Sequence, residues 1–449
     1  MCIICFLSDN SQYLLRHSAM IRSDRLEHTL DNYKNEFKSY FIEKINSDIC
    51  LEYNTESNIY IKTELAKLNY EEIDRFFEKI KSIYINWINT EIESAIKKME
   101  DLVALFSDSI FEDNLNSKLL FRGRISKGFI SHWDMFHIPF NRRFLIDNQR
   151  YSLIGQPILY FSSSPYGVYK ELGTYKDLRI SRFFAKSDSS FRIFENINKF
   201  EKYIKIVSDK KINSNYNITV NQMIENLING MVNNDEIMKS DTIKNMLFSM
   251  ILSSCCSFPR REDTKESTFS EEYILPQILT IVLKKMKYKG IKYISTKLYD
   301  DLNIIKQNDL PTIMYSNYCI FTDYKEDKSR EKTYVYDRDL YNCFDLSNPI
   351  SFHEKVNDEF YDIKALILLI KEIDEDDNID DYLKNISYEV ESILKILEEL
   401  RYKSKDVSSK DKISKKNNNN DEYKAIEDFV NLHILFIRNV LLNIKNKEV

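Results

Sequence analysis

The stretch RYSLIGQPILYFSSSPYGVYKEL, Arg150–Leu172, decides how this chain of 449 residues is read. Within it PILYFSSS is a short apolar run bounded by Pro and Ser, the pattern of a strand. From Pro165 to Leu172 the pattern turns helical, with Ser163 or Ser164 available as the N-cap. Glu171 then falls in an apolar, tyrosine-rich setting, where a carboxylate is held for work rather than for solubility. Five of the seven glycines (123, 128, 155, 167, 173) lie between positions 123 and 173, with three of the seven prolines and one of the two tryptophans. Glycine marks sharp turns and close backbone approaches, so any chemistry is expected to be organised from this window.

Just upstream, residues 121–150 hold six basic side chains (Arg122, Arg124, Lys127, Arg142, Arg143, Arg150) against Asp134 and Asp147. The whole chain carries a formal charge of −6, which argues against a general nucleic-acid binder. A local cationic patch beside turn glycines suits a phosphate-bearing small molecule, because guanidinium clamps phosphate with two parallel hydrogen bonds. The alternative is a solvated face that balances acidic neighbours.

Outward from this window the chain reads as helix. Residues 1–117 contain no glycine or proline, and Phe76, Phe77, Ile80, Ile83, Tyr84, Trp87, Ile88 and Ile92 recur at helical spacing. LLFRGR after Lys118, GIKYIS at 290–295 and YSNYCIF read as strands. YILPQILTIVLKKMKYKG reads as a helix with Pro276 in its first turn and Gly290 past its end. The expected organisation is a helical bundle over 1–117, an α+β domain over 118–350 with a helical insertion at about 196–252, and a helical region over 351–449. Residues 403–422 are so poor in apolar side chains that they read as a disordered linker.

Arg122 in LFRGR, the Arg150–Leu172 block and GIKYIS together resemble the three blocks of the RES domain, named for an Arg, a Glu and a Ser. The middle block runs Arg-aromatic, Gly, Pro, an apolar pair ending in Tyr, a Ser four later and a Glu seven after that, and this chain matches each spacing. The resemblance covers roughly 118–300 and implies an ADP-ribosyltransferase-like α+β fold. It implies Arg122, Glu171 and Ser295 as catalytic residues, with Arg124 the second choice for the arginine. Arg124, Arg150, Tyr151, Tyr160 and Ser164 are the expected ligand-binding residues.

The activity it implies is destruction of NAD⁺ at the nicotinamide–ribose bond, by phosphorolysis or hydrolysis, in a toxin or defence effector. NAD⁺ would then be the substrate, inorganic phosphate a co-substrate, and no cofactor or metal would be required. An antitoxin or regulatory protein is the expected partner, with a homo-oligomer also open. Two alternatives stand beside this reading: transfer of ADP-ribose to a macromolecule, and a non-enzymatic protein that only binds a nucleotide. The helical N-terminal region resembles HEPN bundles that precede some RES domains, and Arg22 with His28 gives an R-x5-H pattern.

Other features read as structure. No apolar run, including that at 365–370, approaches the ~20 residues of a membrane span. Seven cysteines without framework spacing, and no secretory leader pattern, read as a reduced, cytoplasmic protein. Cys2-Ile3-Ile4-Cys5 is half of a zinc site; Cys50 stands alone, and His17 and His28 have no standard spacing, so no metal is expected. His132-Trp133-Asp134 and His137 read as turn and packing. The acidic run at 372–381 lacks the glycine and spacing of a calcium loop.

Overall fold

The computed structural model describes residues 2–446 except 9–10, 52–53, 55, 106–111, 116–117, 175, 187–190, 199, 201–239, 262–266, 298–313, 327–333, 352–362 and 412–416. In chain order the helices are α1 (Ile3–Ser8), α2 (Ser11–Ile21), α3 (Leu26–Ile45), α4 (Glu56–Ala66), α5 (Tyr70–Ile88), α6 (Ile92–Ala104), α7 (Pro165–Leu172), α8 (Ser240–Cys255), α9 (Ile274–Lys285), α10 (Arg338–Asn342), α11 (Ile363–Glu375), α12 (Asp381–Asp411) and α13 (Asn417–Lys445). The strands are β1 (Glu112–Asn114), β2 (Leu119–Ile125), β3 (Ile158–Ser162), β4 (Leu178–Ala185), β5 (Arg192–Asn196), β6 (Gly290–Ile294), β7 (Ser316–Phe321), β8 (Phe344–Leu346) and β9 (Ile350–Ser351). The chain is therefore α+β, with helical segments at both ends.

The chain divides into two compact units that do not follow the boundaries read from the sequence. The first gathers Met1–Asp113, Asp147–Gly155 and Ile193–Tyr299; the second gathers Asn114–Ile146, Gln156–Arg192 and Asp300–Val449. The division cuts the Arg150–Leu172 block at Gly155, which sits at φ +75°. The expected domain over 118–350 is thus shared between two units.

In the first unit, α5 shows why the amphipathic pattern folds as it does. Asn69 caps it by accepting from the Glu71 amide at 2.9 Å, Glu71 and Glu72 complement the dipole, and Ile73, Phe76, Phe77, Ile80, Ile83 and Tyr84 are buried. The expected stripe ran on through Ile92, but the helix ends at Ile88 and Thr90 takes a left-handed φ of +63°. Ile88 and Ile92 are consequently exposed. β5 and β6 pair in parallel, Ile193 opposite Gly290, and Gly290 opens that strand rather than ending α9. Lys287, at φ +67°, makes the turn between them. Of the expected helical insertion, 201–239 lies outside the described residues, and α8 is its helical end.

In the second unit the strands run β7–β3–β2–β4–β8, all antiparallel, with β9 also on β4. β2 and β4 form seven Cα pairs from Leu119–Phe184 to Ile125–Leu178; β3 and β7 form five. β2 and β3 meet at Phe121 opposite Ser162 alone, so the sheet forks beyond that pair. α7 and α13 pack on one face, where Phe121 meets Phe436 and His433 at ring distances of 5.3 and 4.8 Å. Residues 403–411, expected in a linker, continue α12 instead, and α13 begins at Asn417. Lys, Asp and Ser can extend a helix already nucleated by the buried stripe Ile386–Leu400.

Candidate functional site

The fork between β2 and β3 positions the first group. A Cβ on Gly123 would collide with Val168 on α7 and lie 3.0 Å from Leu172 Cδ1, so β2 turns this residue toward the helix. Strand alternation then turns Arg122 and Arg124 to the other face. Arg122 Nη1 donates to the Tyr160 carbonyl at 2.8 Å, filling the gap where the ladder has ended. Its Nε is buried with no hydrogen-bond partner. Burial, together with the charge of Arg124, lowers the Arg122 pKa to about 9. Arg124 donates to the Phe136 carbonyl at 3.3 Å, and burial lowers its pKa against the opposing pull of Asp134 and Tyr336. Arg122 therefore has a second guanidinium beside it and no bonded carboxylate.

The second group sits on the α7 face. Ser164 caps α7 as expected: its Oγ accepts from the Gly167 amide at 2.9 Å and donates to the Met314 carbonyl at 2.8 Å. Pro165 occupies the first turn, and Gly173 closes the helix at φ +70° with its amide on the Tyr169 carbonyl at 2.8 Å. This short helix carries exposed Glu171, whose Oε1 accepts from Asn317 Nδ2 at 2.6 Å. Asn317 is opposite Ser162 in the β3–β7 ladder, and Tyr160 is opposite Cys319. Tyr160 therefore shares a sheet face with Asn317, while its carbonyl holds Arg122. This residue thus links the two groups. Arg122 makes no ion pair with Glu171.

The aromatic rim matches its expected packing role. Trp133 stacks on Tyr341 at 4.1 Å and on Tyr336 at 5.3 Å, and Asp134 accepts from the Ser131 amide and hydroxyl at 2.8 Å each. Buried His137 lies 2.8 Å from the Ile138 carbonyl through Nδ1, and its Nε2 accepts from the Asp337 amide at 2.9 Å. Burial lowers its pKa to about 4, so it is a neutral structural imidazole.

The remaining expected residues lie in the first unit, where each has structural partners. Arg150 donates to the Cys256 carbonyl at 3.2 Å and the Thr296 hydroxyl at 3.3 Å, and its guanidinium lies 4.9 Å from the Tyr273 ring centre. Tyr151, fully buried, accepts from Asn196 at 2.9 Å and packs on Tyr293 at 4.5 Å. Gln277 on α9 fixes the turn that carries both, donating to Asn148 Oδ1 and to the Gln149 and Ser152 carbonyls at 2.7, 2.9 and 3.1 Å. Ser295 is buried at the end of β6, and its Oγ accepts from the Lys297 amide at 3.2 Å. The basic window is thus dispersed: Arg142 and Arg143 lie over Tyr334 and Tyr324 at 5.5 and 5.6 Å. Asn317 is the residue that the sequence reading missed; a polar side chain inside the apolar strand YSNYCIF was the available signal.

No family model matches the chain, and no solved structure matches it. It is similar to a Bacillus subtilis (strain 168) protein named "Putative toxin YopC", 24% identical over 375 residues, covering 70% of this chain and 75% of the relative. Among the described residues no helix is long and apolar enough to cross a membrane.

Proposed function

We propose that this chain is a toxin that cleaves NAD⁺ at the nicotinamide–ribose bond. The observation that carries the reading is Arg122: a half-buried arginine whose Nε is buried without a partner, with a neighbouring arginine and no bound carboxylate. Such a group is costly unless an anion completes it, and a dinucleotide diphosphate supplies two negative charges and a set of acceptor oxygens. The relative's name supports the toxin part of the reading.

In this reading Arg122 and Arg124 hold the diphosphate at the fork. The nicotinamide riboside end then reaches through the opening between β2 and β3 to the α7 face, where Glu171, held by Asn317, stabilises the positive charge that develops on the ribose as the bond breaks. The electron pair of the C1′–N bond leaves with the ring, so nicotinamide departs neutral and needs no proton donor. A phosphate or water oxygen then bonds to C1′, and water gives up its proton. Tyr160 bridges the two groups. Ser295, Arg150 and Tyr151 take no part, since their polar groups serve the first unit.

The test is intracellular NAD⁺ after tightly controlled expression of the full chain, beside Arg122→Ala and Glu171→Gln. Rapid loss of NAD⁺ with the unaltered chain, and none with either variant at equal protein level, is the expected result. NAD⁺ that stays constant with the unaltered chain would overturn the reading.

A further inference from the structure

Cys50 does not stand alone. Cys2 Sγ lies 3.6 Å from Cys5 Sγ, which lies 3.5 Å from Cys50 Sγ, and all three sulfurs fall within 4.8 Å of one another. A disulfide needs about 2.05 Å, so these are three separate thiols. A tetrahedral zinc ion with sulfur at ~2.3 Å sets sulfurs about 3.8 Å apart, close to what is seen.

The scaffold around the cluster is firm. The two-residue gap of Cys2-Ile3-Ile4-Cys5 places both sulfurs on one side of the start of α1, and Ile3, Ile4, Phe6 and Leu7 are fully buried. The loop carrying Cys50 leaves α3 through a tied turn, Ser47 donating to the Lys44 carbonyl at 2.8 Å and Lys62 to the Ser47 carbonyl at 2.6 Å. Thiol–thiol contacts are too weak to gather three cysteines from two distant segments. One soft cation would satisfy all three at once and tie the chain start to the α3–α4 loop.

We propose that Cys2, Cys5 and Cys50 bind one zinc ion as three thiolates, with a fourth, non-cysteine ligand completing the tetrahedron. The proposal is independent of the NAD⁺ reading. Its test is elemental analysis of the full chain purified under reducing conditions, beside Cys50→Ser and Cys343→Ser, followed by exchange into cobalt(II). About one zinc per chain is expected, retained in Cys343→Ser and reduced at least about tenfold in Cys50→Ser. Cobalt should bind the unaltered chain stoichiometrically with strong thiolate-to-metal charge-transfer absorption, a readout that stands even if Cys50→Ser fails to fold. Zinc absent from the unaltered chain even after its addition, metal content indifferent to Cys50→Ser, or a disulfide within the trio by intact mass would each overturn it.

Discussion

Two arginines drawn from the same basic window meet opposite circumstances. Arg150 has a carbonyl, a hydroxyl and an aromatic face around its guanidinium. Arg122 has one carbonyl, a buried Nε with nothing to bond, and a second arginine beside it. Both are conspicuous in the sequence; Arg150 is buried and Arg122 half-buried. What separates a structural arginine from a candidate ligand-binding one is therefore the account of its donors, not its neighbourhood in the chain.

The comparison is most easily broken by removing each side chain in turn. Arg122→Ala should reduce NAD⁺ cleavage by at least about 100-fold, the usual consequence of losing an electrostatic anchor, while leaving the melting temperature unchanged or higher. Arg150→Ala should instead lower the melting temperature, in keeping with the ~1.5–3 kcal/mol carried by a hydrogen bond to a charged group. Parallel thermal melts and nicotinamide release decide the matter; equal destabilisation by the two variants would erase the distinction. Gln277→Ala leaves three acceptors without their donor and should cost about 1–3 kcal/mol, measured by urea unfolding. That loss would show that the Arg150 turn is a structural element.

His433 sharpens the same contrast. Neither ring nitrogen has a partner, yet the ring is fully buried among Phe121 and its neighbours and burial lowers its pKa to about 3. It is an unsatisfied group that stays neutral rather than one waiting for an anion. Between pH 6.5 and 3 the unfolded chain binds a proton that the folded chain refuses, so stability is full above about pH 6.5 and falls with acidification. The expected loss is about 2 kcal/mol between pH 6.5 and 5, at 1.36 kcal/mol per unit. His433→Leu should about halve this dependence in urea midpoints taken at pH 7 and pH 5, because His137, also neutral in the folded chain at pH 5, contributes nearly as much. The mildest effect is expected of Asn317→Ala, which takes one hydrogen bond from the Glu171 carboxylate without removing it. A fall of about tenfold in turnover with little change in substrate binding fits a positioning residue.

Much of this was legible in the sequence because the deciding signals were local. Ser164, Pro165 and Gly173 bracket α7 in a few residues, and LLFRGR, PILYFSSS, GIKYIS and YSNYCIF carry their own boundaries. β4 was passed over although Arg179–Ala185 is strand-forming and bounded by Asp177 and the run SDSS at 187–190; its place rests on a seven-pair ladder with β2. The split at Gly155 was equally hidden: nothing in Arg150-Tyr151 tells that α9, more than 120 residues on, will claim that turn through Gln277. Cys50 is the sharpest case. Its partners lie 45 and 48 positions away, and only the path of the α3–α4 loop brings it back to them. Asn317 was hidden because a strand asparagine acquires meaning only when a helix delivers a carboxylate to it.

The central claim is that the uncompensated guanidinium at the fork is the anchor of a dinucleotide whose nicotinamide is expelled. The direct measurement incubates the purified full chain with NAD⁺ labelled in the nicotinamide ring and again with label in adenine, with and without inorganic phosphate. The account predicts free labelled nicotinamide from the unaltered chain, none from equally folded Arg122→Ala, and adenine label that stays in a small molecule. Intact dinucleotide after incubation with the unaltered chain, or release undiminished by Arg122→Ala, would contradict it.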